Sequence, residues 1–72
     1  MSKVKINLVT MSDVTEFVAI ATAMKDPVEL TDGAGYTVSA KSLFGCLAAL
    51  EWNELYAISE ADIYTKISKF AV

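Results

Sequence analysis

The chain has no histidine and no arginine, and its 72 residues include one cysteine, one proline and one tryptophan. Each shortage removes a class of chemistry. Without imidazole, no side chain has an ordinary pKa near neutrality for general base work, and none can carry a phosphoryl group as a phosphoimidazole. One thiol closes no internal disulfide. With no histidine beside it, that thiol also makes no tetrahedral metal site, so neither a metal nor any other cofactor is expected. The six cations are all lysine and scattered among nine carboxylates, for a net charge of −3. No basic stripe with interleaved aromatics is present, so nucleic acid is not an expected ligand, and the acidic balance argues equally against an anionic membrane surface. No uninterrupted apolar run approaches the roughly 20 residues that span a bilayer. The stretch from Met1 to Asn7 alternates polar and apolar residues, which predicts no secretory leader, and the lone cysteine fits a reducing cytoplasm.

Apolar residues, by contrast, are abundant: they make up 54% of the chain, and mean hydropathy is +0.43. A chain of 72 residues is one domain, spanning 1–72, close to the lower limit at which a core alone supports folding. Its apolar excess predicts a surface that meets a partner or another copy.

Periodicity supplies the elements. Lys3 to Thr10 alternates, with Val4, Ile6 and Leu8 on one face, and predicts a half-buried strand. Ser12 is the expected N-cap of a helix from about Asp13 to Met24, with Val14, Phe17, Val18, Ala21 and Met24 at helical spacing. Pro27 stops it, and Val28 to Thr31 alternates as a second strand. Asp32-Gly33-Ala34-Gly35 offers the positive-φ residues of a hairpin, returning through Tyr36 to Ala40. A second helix runs from Leu43 and fades near Glu51 to Asn53. Leu55 to Ser59 follows as a fourth strand. Ser59 with Asp62 has the outline of a capping box for a last helix near Ala61, with Ile63, Ile67, Phe70 and Ala71 on one face. The order βαββαβα predicts an α+β open-faced sandwich, one sheet with its helices on one face.

The most informative stretch is Tyr36 to Leu50, YTVSAKSLFGCLAAL. Ser42 is placed to cap the second helix by accepting from the amide of Phe44 or Gly45. Leu43, Phe44 and Leu47 are too closely spaced around a helix to share one narrow stripe with Cys46 and Leu50, so part of this set should face solvent. Cys46, in mid-helix, is expected to be a buried hydrophobe rather than a reactive thiol.

Lys41-Ser42-Leu43-Phe44-Gly45 resembles the Lys-Ser-(Ile/Leu)-(Met/Phe)-Gly run that opens the second helix of HPr, the small phosphocarrier of the bacterial phosphoenolpyruvate-dependent sugar phosphotransferase system. The strand pattern before it and the Asp32 to Gly35 turn are similar to the family's as well, and the element order agrees along the whole chain. The resemblance implies a four-stranded antiparallel sheet in the order 1-4-2-3. It also implies a serine, here Ser42, that a dedicated kinase phosphorylates. Leu43, Phe44 and Leu47 match the apolar positions that contact partner enzymes and regulators. Two departures matter. The family holds its phosphoryl group on a histidine at the start of the first helix, beside an arginine, and this chain has neither. The loop before that helix is expected to shrink to about Met11 and Ser12. Thr10 and Ser12 cannot substitute, because their phosphoesters are too stable to pass the group onward. The family includes a histidine-less paralogue, Crh, that acts only in regulation. What is implied here is a cytoplasmic, Crh-like regulatory or adaptor protein, not an enzyme, whose partners are phosphotransferase-system enzymes, a serine kinase or a transcriptional regulator. The alternative expectation is an interaction subunit that homodimerises through the same apolar surface.

Other candidates read as ordinary surface or half-core. The carboxylate pairs Glu51 with Glu54, and Glu60 with Asp62, lie at helix ends where charge is solvated. Tyr56 and Tyr64 fit half-buried amphipathic positions. Trp52, just past the second helix, is the one aromatic whose exposure would extend the apolar cluster toward a partner.

Overall fold

The computed structural model describes residues 2–72. Its elements are β1 (Ser2–Lys5), α1 (Met11–Ala23), β2 (Val28–Thr31), β3 (Thr37–Ser39), α2 (Leu43–Ala49), β4 (Tyr56–Ser59) and α3 (Tyr64–Ile67), which runs on into a 3-10 turn at Ser68–Phe70. The four strands form one antiparallel sheet in the order β1-β4-β2-β3. This is the βαββαβα open-faced sandwich, with the expected strand order.

Strand alternation sorts the sheet into two faces. Val4, Ala57, Leu30 and Val38 lie in register across all four strands and point toward the helices. Ala57 and Leu30 are fully buried there, with Val14, Phe17 and Ala21 of α1, Cys46 and Ala49 of α2, and Ile63 and Ile67 near α3. Phe17 meets Phe70 edge to face, with ring centroids 5.7 Å apart, so the core joins the first helix to the end of the chain. On the opposite face the row Lys3, Ile58, Glu29 and Ser39 has no helix over it, and Lys3 places its ammonium 4.7 Å from the centroid of Tyr56.

Local chemistry fixes the turns. Gly33 and Gly35 take φ of +79° and +117°, and Asp32 Oδ1 accepts from the amides of Ala34 at 2.7 Å and Tyr36 at 3.2 Å. At α1 the structure corrects the expected boundaries. Thr10, not Ser12, is the N-cap; the Asp13 amide donates to Thr10 Oγ1 at 3.1 Å, and Asp13 Oδ2 accepts from the Thr10 amide at 3.2 Å. This reciprocal box needs a carboxylate three residues after the cap, which Thr10 has and Ser12 lacks. The connection from β1 to α1 is therefore Ile6 to Thr10, and Met11 and Ser12 belong to the helix. The last helix also starts later than Ala61. Ser59 ends β4, where its hydroxyl donates to the Pro27 carbonyl at 2.9 Å and accepts from the Ala61 amide at 3.2 Å, in the turn ahead of α3 and not at its start; Asp62 Oδ1 accepts from the Tyr64 amide at 3.2 Å.

Candidate functional site

Helix α2 carries the site expected from the sequence. Ser42 is exposed and accepts from the Gly45 amide at 3.2 Å, so its cap role is real and its hydroxyl stays accessible. Gly45 lets the helix approach the sheet: a Cβ there would lie 3.1 Å from Val38 Cβ and 3.3 Å from Ser42 Oγ. Cys46 and Ala49 then point into the core. Burial pushes the Cys46 thiol up to about 11. Its Sγ lies 3.6 Å from the Ala40 carbonyl oxygen and 3.7 Å from that of Ser39, so it is a structural residue.

The opposite side of α2 is apolar and open. Phe44 is 84% exposed and Leu43 41% exposed, next to the exposed Ser42. Leu47 differs from both, being half-buried and packed against the core. The outward cluster is thus Leu43 and Phe44, with Leu47 at its base. Lys41 is turned away from it, because its Nζ donates to the Met24 carbonyl at 2.9 Å. That bond ties the start of α2 to the C-terminal end of α1, which has no basic residue in its own last turn.

The remaining candidates do not join this cluster. Trp52 is half-buried at the far end of α2 and pairs with Tyr36, with ring centroids 6.4 Å apart. Tyr56 lies under Lys3 on the open sheet face, and Tyr64 is exposed on α3. Among the described residues no group of three or more carboxylates and thiols is placed to hold a metal ion. No helix among them is long and apolar enough to cross a membrane.

Sequence reasoning passed over Val9 and Met11, both largely exposed on either side of the Thr10 cap. The available signal was Val9 on the polar side of the β1 alternation. No protein-family model, curated protein or solved structure matches the chain.

Proposed function

We propose that this chain is an HPr-like regulatory or adaptor protein of the sugar phosphotransferase system, without phosphocarrier chemistry, that docks on protein partners through the start of α2. The carrying observation is Phe44, 84% exposed beside Leu43 and directly after the exposed Ser42. A phenylalanine left in water forgoes about 1.5–3 kcal/mol of burial, which contact with a partner recovers. The strand order and the Lys41 to Gly45 run support the family assignment, and a cytoplasmic place fits it.

Ser42 is the proposed switch. A kinase would transfer the γ-phosphoryl group of ATP to Ser42 Oγ, releasing ADP while the hydroxyl proton passes to a base on the kinase. The product dianion faces the amides at the start of α2, an interaction worth about 0.3–1 kcal/mol, so α2 stays folded. Binding changes through charge: the phosphate beside Leu43 and Phe44 repels acidic partners and draws arginine-bearing ones.

The test is mass spectrometry after incubation with an HPr-type serine kinase and ATP, with Ser42→Ala as control. One phosphate on the wild type and none on the variant is expected. No phosphate, or equal labelling of both, removes the switch. Docking is tested separately by titrating Phe44→Ala against the same partners, which should weaken binding with the thermal stability unchanged. If light scattering instead finds a dimer that Phe44→Ala dissolves, the apolar cluster serves self-association.

A further inference from the structure

The two edges of the sheet are finished differently. Along β1 the end of the chain closes the outer edge: Ile6 bridges Ala71, the Val72 amide donates to the Lys5 carbonyl at 3.0 Å, and the Asn7 amide donates to that of Phe70 at 2.9 Å. Nothing closes the edge at β3. The Ala40 amide donates to the Val28 carbonyl and the Asp32 amide to that of Tyr36, so the ladder between β2 and β3 runs through the even-numbered residues and Val38 faces β2. Thr37 and Ser39, both exposed, turn their backbone groups outward. The Ser39 carbonyl is taken by the Ser42 amide at 3.1 Å, which leaves the Thr37 amide, the Thr37 carbonyl and the Ser39 amide without a partner among the described residues.

This edge carries none of the usual safeguards against strand addition. Thr37–Ser39 has no proline, no lysine and no bulge, and Tyr36, Thr37 and Val38 all favour strands. Its pattern is also self-complementary. In an antiparallel pair with a second copy related by a twofold axis at Thr37, each Thr37 amide donates to the other Thr37 carbonyl, which satisfies both copies at once. The same register sets Tyr36 of each copy, 70% exposed in the single chain, opposite the half-buried Val38 of the other, as an aromatic and β-branched pair of the kind that stabilises sheets. An unrelated strand supplies the hydrogen bonds alone; a second copy supplies the partner for Tyr36 as well. Helix α2 leaves room for the approach, because Gly45 over Val38, and the exposed Ala48 one turn on, put no bulk on the side above β3.

We infer that the chain pairs with a second copy of itself edge to edge through β3, antiparallel with Thr37 facing Thr37, so that one continuous sheet runs through both copies. The contact does not depend on Ser42 or on the docking role given to Leu43 and Phe44.

Light scattering over a concentration series reaching the millimolar range tests this, and the wild type should pass from monomer to dimer. Thr37→Pro removes the outward amide without touching the pairing to β2, and should weaken the dimer by about tenfold or more, since two hydrogen bonds between the copies are lost. Thr37→Lys sets two ammonium groups face to face across the axis and should weaken it at low salt, as should Thr37→Glu with two carboxylates. An equimolar mixture of these two variants should dimerise, because each lysine then meets a glutamate. Circular dichroism and urea unfolding verify that each variant keeps the fold. The inference is overturned by a wild type that stays monomeric throughout, by a dimer that Thr37→Pro or Thr37→Lys leaves intact, or by lysine and glutamate variants that fail to pair when mixed.

Discussion

Two residues show how this chain uses polar and ionisable groups for structure. Asp13 Oδ2 accepts from the amides of Val9 at 3.0 Å and Thr10 at 3.2 Å, and these bonds hold its carboxyl below the ordinary value of 3.8. The unfolded chain therefore takes up this proton at higher pH than the folded one. Stability from Asp13 is present above the unfolded value and is lost as the pH falls through the lower folded one. Asp13→Asn should melt below the wild type near neutrality, and the gap in Tm should narrow as the solution is acidified below about pH 4. A gap constant with pH would mean that the carboxylate charge contributes nothing to the cap. Cys46 makes the converse case. Its thiol is buried and its pKa raised to about 11, so an aromatic disulfide reagent at mildly alkaline pH should label the native protein only as fast as it opens, and the urea-unfolded chain at once. Rapid labelling of the native protein would place Cys46 at the surface.

At the scale of elements, the contact between α2 and β3 is set by Gly45. Alanine is a better helix former than glycine by about 1 kcal/mol, so helix propensity alone favours Gly45→Ala. Against this, the added Cβ would sit 3.1 Å from Val38 Cβ, on a strand held by its pairing to β2. Overpacking of that kind costs about 1–3 kcal/mol. The balance predicts a net loss of about 1 kcal/mol in urea unfolding, with the helix content unchanged. A gain in stability would show that the β3 edge moves aside freely. The same elements show which features sequence alone could settle. The second strand, the Asp32 to Gly35 turn and the Ser42 cap were legible because each is decided within a few residues. The start of α1 was misjudged because Thr10 and Ser12 are both good caps, and only Asp13, three places after Thr10, decides between them. The last helix starts later than its sequence outline suggests because Ser59 is held in β4, its hydroxyl donating to Pro27, 32 residues away, while the amide it accepts from, that of Ala61, belongs to the turn before the helix. At the site, solvent exposure of part of the Leu43, Phe44 and Leu47 set followed from spacing. Which part did not, because it depends on how α2 is rotated against the core. The Trp52 pairing with Tyr36 was equally beyond reach, since it brings two ends of different elements together.

Across the whole molecule, one core must hold a narrow sheet, helices of which two are short, and chain ends joined by packing and a short antiparallel bridge between Ile6 and Ala71. Phe17 on α1 is fully buried and meets Phe70 from the last turn, while Val72 and Asn7 hydrogen-bond along the outer edge of β1 through the Lys5 and Phe70 carbonyls. No element here has a core of its own, so unfolding should be a single cooperative transition. Phe17→Ala then tests the molecule as a unit. Removing a buried phenylalanine costs about 3–5 kcal/mol, against a total stability of roughly 4–11 kcal/mol expected at 0.05–0.15 kcal/mol per residue for a chain of this length. The variant should lose about half of the wild-type stability and show a correspondingly lower urea midpoint, whereas Phe17→Leu, which leaves a smaller cavity, should show a smaller fall in the midpoint with an unchanged slope. Phe44→Ala is the matched control, because it removes the same group from the surface and should leave the midpoint within about 0.5 kcal/mol of the wild type. If Phe44→Ala destabilises as much as Phe17→Ala, then Phe44 is buried in solution, and the cluster at the start of α2 is covered by a second copy rather than open for a partner.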